Sequence, residues 1–150
     1  VAKPYRLTTG TKAANAVLSA LLKIGLAPGF MRLLTVKGRR TGKPHSTPVV
    51  PVQNDDGRWL VSPYGEVGWV RNARAAGEVT LRRGKDVESL GVTELAPADA
   101  APVLRAYLTM QPAGKYVRAY FDAGPDASDA ELAAEAPRHP VFALHPRDHR

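Results

Sequence analysis

Hydrophobic and polar positions along this chain follow two different periods. Over residues 11–26, Lys12, Asn15, Ser19 and Lys23 recur at steps of three and four. They therefore share one narrow face of a helix, and Ala, Val, Leu and Ile fill the rest of its surface. Thr9 or Thr11 can cap this helix, and Gly25, Pro28 and Gly29 end it. Its wide apolar side predicts packing on the body of the protein, with membrane-surface contact as the sharper alternative. Beyond it, short strand-like runs dominate. Residues 31–37 read as a strand and residues 46–53 as a second, which Pro48 and Pro51 bend or hold at an edge. Asp56-Gly57 marks a hairpin whose return strand is 58–62. Residues 79–83 and 87–95 form another hairpin about Gly84-Lys85-Asp86, and residues 140–144 supply a closing strand. Helices are predicted at 69–76, closed by Gly77, and at 97–110, with Pro97 in the first turn. One or two turns follow at 115–121, then an acidic, Ala-rich surface helix at 126–136. Six short strands with helices between them predict a mainly β fold with helical additions, α+β in class, built as a small barrel. No repeat or linker divides the chain. Residues 1–30 read as an amphipathic helical segment and residues 31–150 as a single domain.

Composition narrows the class. At 150 residues and 44 % hydrophobic, the chain can bury a real core. No stretch approaches the roughly 18 uninterrupted apolar residues of a membrane span. No signal-peptide pattern is evident, although the chain begins at Val1 without Met and a trimmed leader is compatible with that. The absence of cysteine removes disulfides, thiolate nucleophiles and thiolate metal sites together. His139, His145 and His149 lie near the end at irregular spacing, so no metal site is expected. Charge is uneven: residues 1–54 hold nine Lys or Arg and no acid, whereas residues 55–150 hold twelve bases and fourteen acids. Such a block points to an anionic partner: a cofactor phosphate, nucleic acid or a lipid surface. Nucleic acid is not expected, because the basic loop has little aromatic interleaving and no known motif.

The candidate chemistry sits in two places. The first is Gly38-Arg39-Arg40-Thr41-Gly42-Lys43-Pro44-His45-Ser46-Thr47-Pro48, which joins two predicted strands. Its glycines allow a tight turn with exposed N–H groups, and its arginines, lysine and hydroxyls suit phosphate oxygens. A solvated basic hairpin turn is the plain alternative. The ending of a Walker A loop is missing. The second is Ser62-Pro63-Tyr64-Gly65-Glu66-Val67-Gly68-Trp69-Val70-Arg71-Asn72, a glycine-bearing loop running into a short helix. It can lay backbone against a flat ring, with Trp69 and Asn72 three apart on one helix face.

Together these two features resemble the deazaflavin (F420)-dependent nitroreductase family, within the flavin/deazaflavin split β-barrel oxidoreductases. Gly38 to Pro44, the Ser46-Thr47-Pro48 that follows, the hairpin at Asp56-Gly57 and Trp69-x-x-Asn72 carry the resemblance, over roughly residues 31–145. It implies a split β-barrel of FMN-binding-like type and reduced coenzyme F420, with FMN as the alternative. By position, Arg40 and His45 would face the phosphate and polyglutamate tail, with Arg39, Thr41, Ser46 and Thr47 as further cofactor-binding candidates. Ser62 and Tyr64 would lie near the ring, with Trp69 and Asn72 lining the site. His45 stands where the family commonly has Arg, and the ring-side loop is shorter than usual. A hydride passed from the cofactor to a planar acceptor (a quinone, nitroaromatic or enone) needs positioning and a proton. Tyr116 and Tyr120, four apart and so on one helix face, are the catalytic candidates beside Ser62, with Tyr107 and Tyr64 as alternatives. The rival reading is a non-catalytic binding module for a flavin, lipid or other anionic ligand. The expected partner is a small-molecule acceptor; a homodimer and weak membrane-surface contact by the first helix are compatible with it. The expected location is the cytoplasm, with membrane association as an alternative.

Overall fold

The computed structural model describes residues 9–110 and 113–146, with backbone alone at 9–11. Contacts divide these residues into two compact units.

One unit comprises residues 9–51, 68–92 and 144–146. Helix α1 (Thr9–Lys23) leads into β1 (Arg32–Lys37) and β2 (Pro44–Val49). Helix α2 (Gly68–Ala76) precedes β5 (Glu78–Arg83) and β6 (Asp86–Glu94). Strand β1 is central: it pairs antiparallel with β2, Leu34 opposite Thr47, and with β5, Leu34 opposite Leu81. Its alternation explains both neighbours. Leu34 and Val36 are buried on one face, while Leu33 on the other joins Leu22 of α1 and Ala27 in a cluster of its own. The packing expected of α1 is therefore present at Leu22, which is fully buried. The helix stops at Lys23, three residues before the expected end, where Gly25 turns the chain with φ +77°. Arg83 donates to the carbonyls of Gly25 and Pro28, taking up acceptors just past the helix end. Val17, Ile24 and Leu26 remain exposed. No helix among the described residues is long and apolar enough to cross a membrane.

The other unit comprises residues 52–67 and 93–143. It holds β3 (Val52–Asn54), β4 (Gly57–Val61), α3 (Pro97–Thr109), α4 (Ala113–Val117), a 3₁₀ turn (Arg118–Tyr120), α5 (Asp129–Glu135) and the start of β7 (Val141–Pro146). Helix α3 packs on β3, β4, α4 and α5. The core gathers Val61, Leu104, Tyr107, Leu108, Phe121, Leu132 and Val141.

Three sequence expectations change here. The strand expected at 46–53 divides into β2 and β3, because Pro51, which has no N–H, sits between them, so the described strands number seven. The last helix begins later than expected, at Asp129, where Ser128 and Glu131 form a reciprocal capping box. That helix is also no mere surface element: Leu132 and Glu135 are both buried.

Candidate functional site

Within the first unit, the basic turn links β1 to β2. Gly42 holds φ +75°, a left-handed conformation that glycine adopts without steric cost. The turn is closed from inside: Gly38 N–H donates to the Lys43 carbonyl at 2.8 Å and Gly42 N–H to the Gly38 carbonyl at 3.0 Å. Lys43 N–H reaches Thr41 Oγ1 at 3.3 Å. The expectation of exposed glycine N–H groups is thus corrected. Those donors hold the hairpin shut, and an anion would meet side chains instead.

Asn72, 6 % exposed on α2, explains how the turn is held in place. Its Oδ1 accepts from Arg39 N–H at 3.1 Å and from Arg39 Nη1 at 2.9 Å. Asn72 is a brace for the turn, and Arg39 is committed to it. Arg40, Thr41 and Lys43 are exposed, and no ion pair holds Arg40 or Lys43 among the described residues. The exposed His45 ring lies over Gly38, where a Cβ would come within 2.8 Å of Nε2. Ser46 Oγ and Thr35 Oγ1 share a hydrogen bond of 2.8 Å; Thr47 and Trp69 are half-buried. Beside the turn lies an open groove of about 160 Å³, lined by Thr35, Lys37, Gly42, Pro44, Glu78 and Thr80 among others. A phosphate-sized group fits such a space.

In the second unit, the loop after β4 is internally bonded. Ser62 is fully buried; its N–H donates to the Pro140 carbonyl at 3.0 Å and its hydroxyl to the Gly65 carbonyl at 2.5 Å. Ser62 thereby closes the loop, and its proton is engaged there. Tyr64 is exposed at the loop tip and meets the Tyr120 ring edge-on, centroids 5.1 Å apart. The expectation that Tyr116 and Tyr120 share a face does not hold. Helix α4 tightens to 3₁₀ after Val117, which changes the angle per residue. Tyr116 is 76 % exposed, whereas Tyr120 packs on Tyr64. Tyr107 is core, and burial pushes its phenol well above the ordinary value, so it keeps its proton.

A buried cluster that the sequence reading did not find lies behind this loop. His139 stacks on Phe121 with centroids 3.7 Å apart. Its Nδ1 is 3.2 Å from the Ser62 carbonyl, and its Nε2 is 3.4 Å from Glu135 Oε2. Glu135, 1 % exposed, accepts the Ala123 N–H at 2.6 Å, and its other oxygen lies 3.3 Å from Arg138 Nη2. Arg138 also pairs with Asp122. Glu135 and His139 stand four apart, a spacing that puts them on one face where the chain is helical and was readable.

Burial holds the His139 imidazole below its ordinary pKa of 6.5, partly opposed by its hydrogen bond to the Ser62 carbonyl and by the charge of Glu135. The native state therefore takes up this proton less readily than the unfolded chain. The stabilising contribution is full above about pH 6.5 and is lost as the pH falls toward the native value. Urea midpoints should accordingly fall between pH 8 and 5.5, and His139→Gln should flatten that slope; parallel slopes for both proteins would contradict it.

Three comparisons bear on this geometry. The F420H(2)-dependent quinone reductase family profile matches residues 7–120. No curated protein matches the chain in sequence. Among solved structures, one described as a domain-swapped dimer is 16 % identical, with TM-score 0.57 over 89 % of this chain and 95 % of that one. An F420-H2 dependent reductase (FDR-A) is 18 % identical, with TM-score 0.54 over 78 % of this chain and 95 % of that one. An FAD-binding protein from Mesorhizobium loti is 14 % identical, with TM-score 0.51 over 95 % of this chain and 91 % of that one. At such identities the likeness is one of fold: an antiparallel, curled sheet with helices, the split β-barrel of FMN-binding-like proteins.

Proposed function

The chain belongs to the F420H(2)-dependent quinone reductase family and is an F420-dependent oxidoreductase, and from that premise we propose that it passes hydride to a planar, electron-poor acceptor of the quinone, nitroaromatic or enone type. The observation that carries the reading is the braced basic turn. Arg40 and Lys43 are exposed without an ion pair among the described residues, on a turn whose Gly42 and Pro44 line a groove of about 160 Å³. These residues fit a cofactor with a phosphate and an acidic tail: Arg40 offers a bidentate grip, Lys43 a mobile charge, and Thr41 and Ser46 hydroxyls. His45 caps the start of the turn through its contact with Gly38. When bound, reduced F420 supplies the hydride.

The other roles fall to the second unit. The loop at residues 62–65, closed by Ser62, leaves Tyr64 exposed for a role at the ring. Tyr116, the most exposed tyrosine described, supplies or orients a proton for the acceptor oxygen. Tyr120 steadies Tyr64. The reading includes a cytoplasmic location and a homodimer, the latter supported by the dimeric description of one similar fold.

Thermal melting tests it. F420 at a hundred times its Kd should stabilise the protein by about 2.7 kcal/mol, more than FMN or a nicotinamide does at the same concentration. Arg40→Ala should keep the apo Tm and weaken F420 binding by about 1.5–3 kcal/mol, roughly tenfold to a hundredfold. A larger shift with FMN would overturn the choice of cofactor. Unchanged F420 affinity with a lower apo Tm would make the turn structural.

A further inference from the structure

We propose that Glu135 and His139 are a positioning pair that ties the loop at residues 62–65 to the tyrosine-bearing turn Arg118–Tyr120, and so sets how Tyr64 meets Tyr120. This rests on the reading that these two segments serve the ring and the acceptor.

The imidazole touches both segments at once. Nδ1 faces the Ser62 carbonyl at 3.2 Å, and the ring stacks on Phe121, the residue that follows Tyr120. Both contacts sit at the roots of the side chains in question. Tyr64 is two residues beyond Ser62, and Tyr120 directly precedes the stacked Phe121. The ring is fixed in its plane by Phe121, 3.7 Å away and only 15° from parallel. The loop also passes near the Arg138 carbonyl: a Cβ built at Gly65 would lie 3.5 Å from that oxygen.

Glu135 gives the ring its orientation. One oxygen is fixed by the Ala123 N–H at 2.6 Å. The other has no hydrogen bond; it lies 3.3 Å from the Arg138 guanidinium and 3.4 Å from His139 Nε2. A buried carboxylate with an oxygen left to charge attraction is costly unless its cation, Arg138, stays in place. The charged groups around the ring are thus Glu135 and Arg138, with Asp122 holding Arg138 from the solvent side. A neutral imidazole carries one N–H and a protonated one carries two, so the proton count on this ring changes how many of its acceptors are tied.

Hydrogen exchange on the full chain, without cofactor, tests the pair directly. In both His139→Gln and the near-isosteric Glu135→Gln, amides at 62–66 and 118–123 should exchange at least about tenfold faster, while those of Leu104 and Tyr107 in α3 stay protected. Unchanged exchange in either segment overturns the proposal. So does loosening that spreads equally into α3 in both variants, which would make the pair ordinary core. Kinetics with F420 and a quinone form a second arm. Both variants should keep F420 affinity and lose kcat, and the His139→Gln variant should lose the low-pH limb of the wild-type kcat profile. An unaltered kcat and profile overturns the link to turnover. Failure of the wild type to bind F420 sinks the functional reading instead, and the exchange result still decides the coupling.

Discussion

Tyr116→Phe is expected to lower kcat by about a hundredfold, with little change in the affinity for F420. The phenol is 76 % exposed on α4, and no hydrogen bond to it exists among the described residues, so its proton is available to a bound acceptor. Removing one oxygen leaves the helix and its packing untouched. The loss should therefore fall on kcat and on kcat/KM alike, as for an interaction made only in the transition state. Tyr120→Phe is a contrast. That ring packs edge-on against Tyr64, and Phe keeps the packing, so its main effect should be a raised KM. Steady-state kinetics with a quinone and a nitroaromatic separate the two. Wild-type kcat in Tyr116→Phe would remove this residue from the chemistry and leave the exposed Tyr64 as the candidate.

Gly114→Ala is expected to be the most damaging glycine-to-alanine change among the described residues. A Cβ at this position would lie 2.2 Å from the Leu108 carbonyl oxygen and 2.7 Å from its carbon. Both are main-chain atoms of α3, which cannot swing aside as a side chain would. Helix α4 comes this close because Gly114 N–H bonds the Met110 carbonyl at 2.7 Å, folding the chain back on the end of α3. Overpacking a rigid contact of this kind should cost about 3 kcal/mol or more, a fall in Tm of roughly 6–12 °C. A Tm within a degree or two of wild type would mean that α4 can move off α3 freely. The same contact gives a physical reason for glycine, and not a larger residue, at 114.

What the sequence reading reached and what it missed follow from the range of the forces involved. The β5–β6 hairpin was legible because Gly84-Lys85 and the flanking residues decide it within a few positions. Helix α2 was legible from Trp69 to its stop at Gly77, and α3 from Pro97 in its first turn. The capping box Ser128-x-x-Glu131 was equally local, and it marks the start of α5 more sharply than the acidic composition on which the expectation rested. The basic turn was found by its charge, yet its internal bonding could not be read, since whether a glycine N–H is free depends on which carbonyl the fold brings to it.

The sequence by itself determined the element types, the hairpins, the concentration of positive charge before residue 55 and the resemblance that fixes the cofactor class, because propensity, periodicity and charge act over a few residues. Only the tertiary structure decided what those residues do. It turned Asn72 into the brace of Arg39, thirty-three positions away. It spent the Ser62 hydroxyl inside its own loop. It buried Glu135 beside His139 and brought that ring to Ser62 across seventy-seven residues. Each is a hydrogen bond or ion pair over a few ångströms between groups remote in sequence. Such contacts form only after hydrophobic burial has brought the segments together, so local pattern carries no direct record of them.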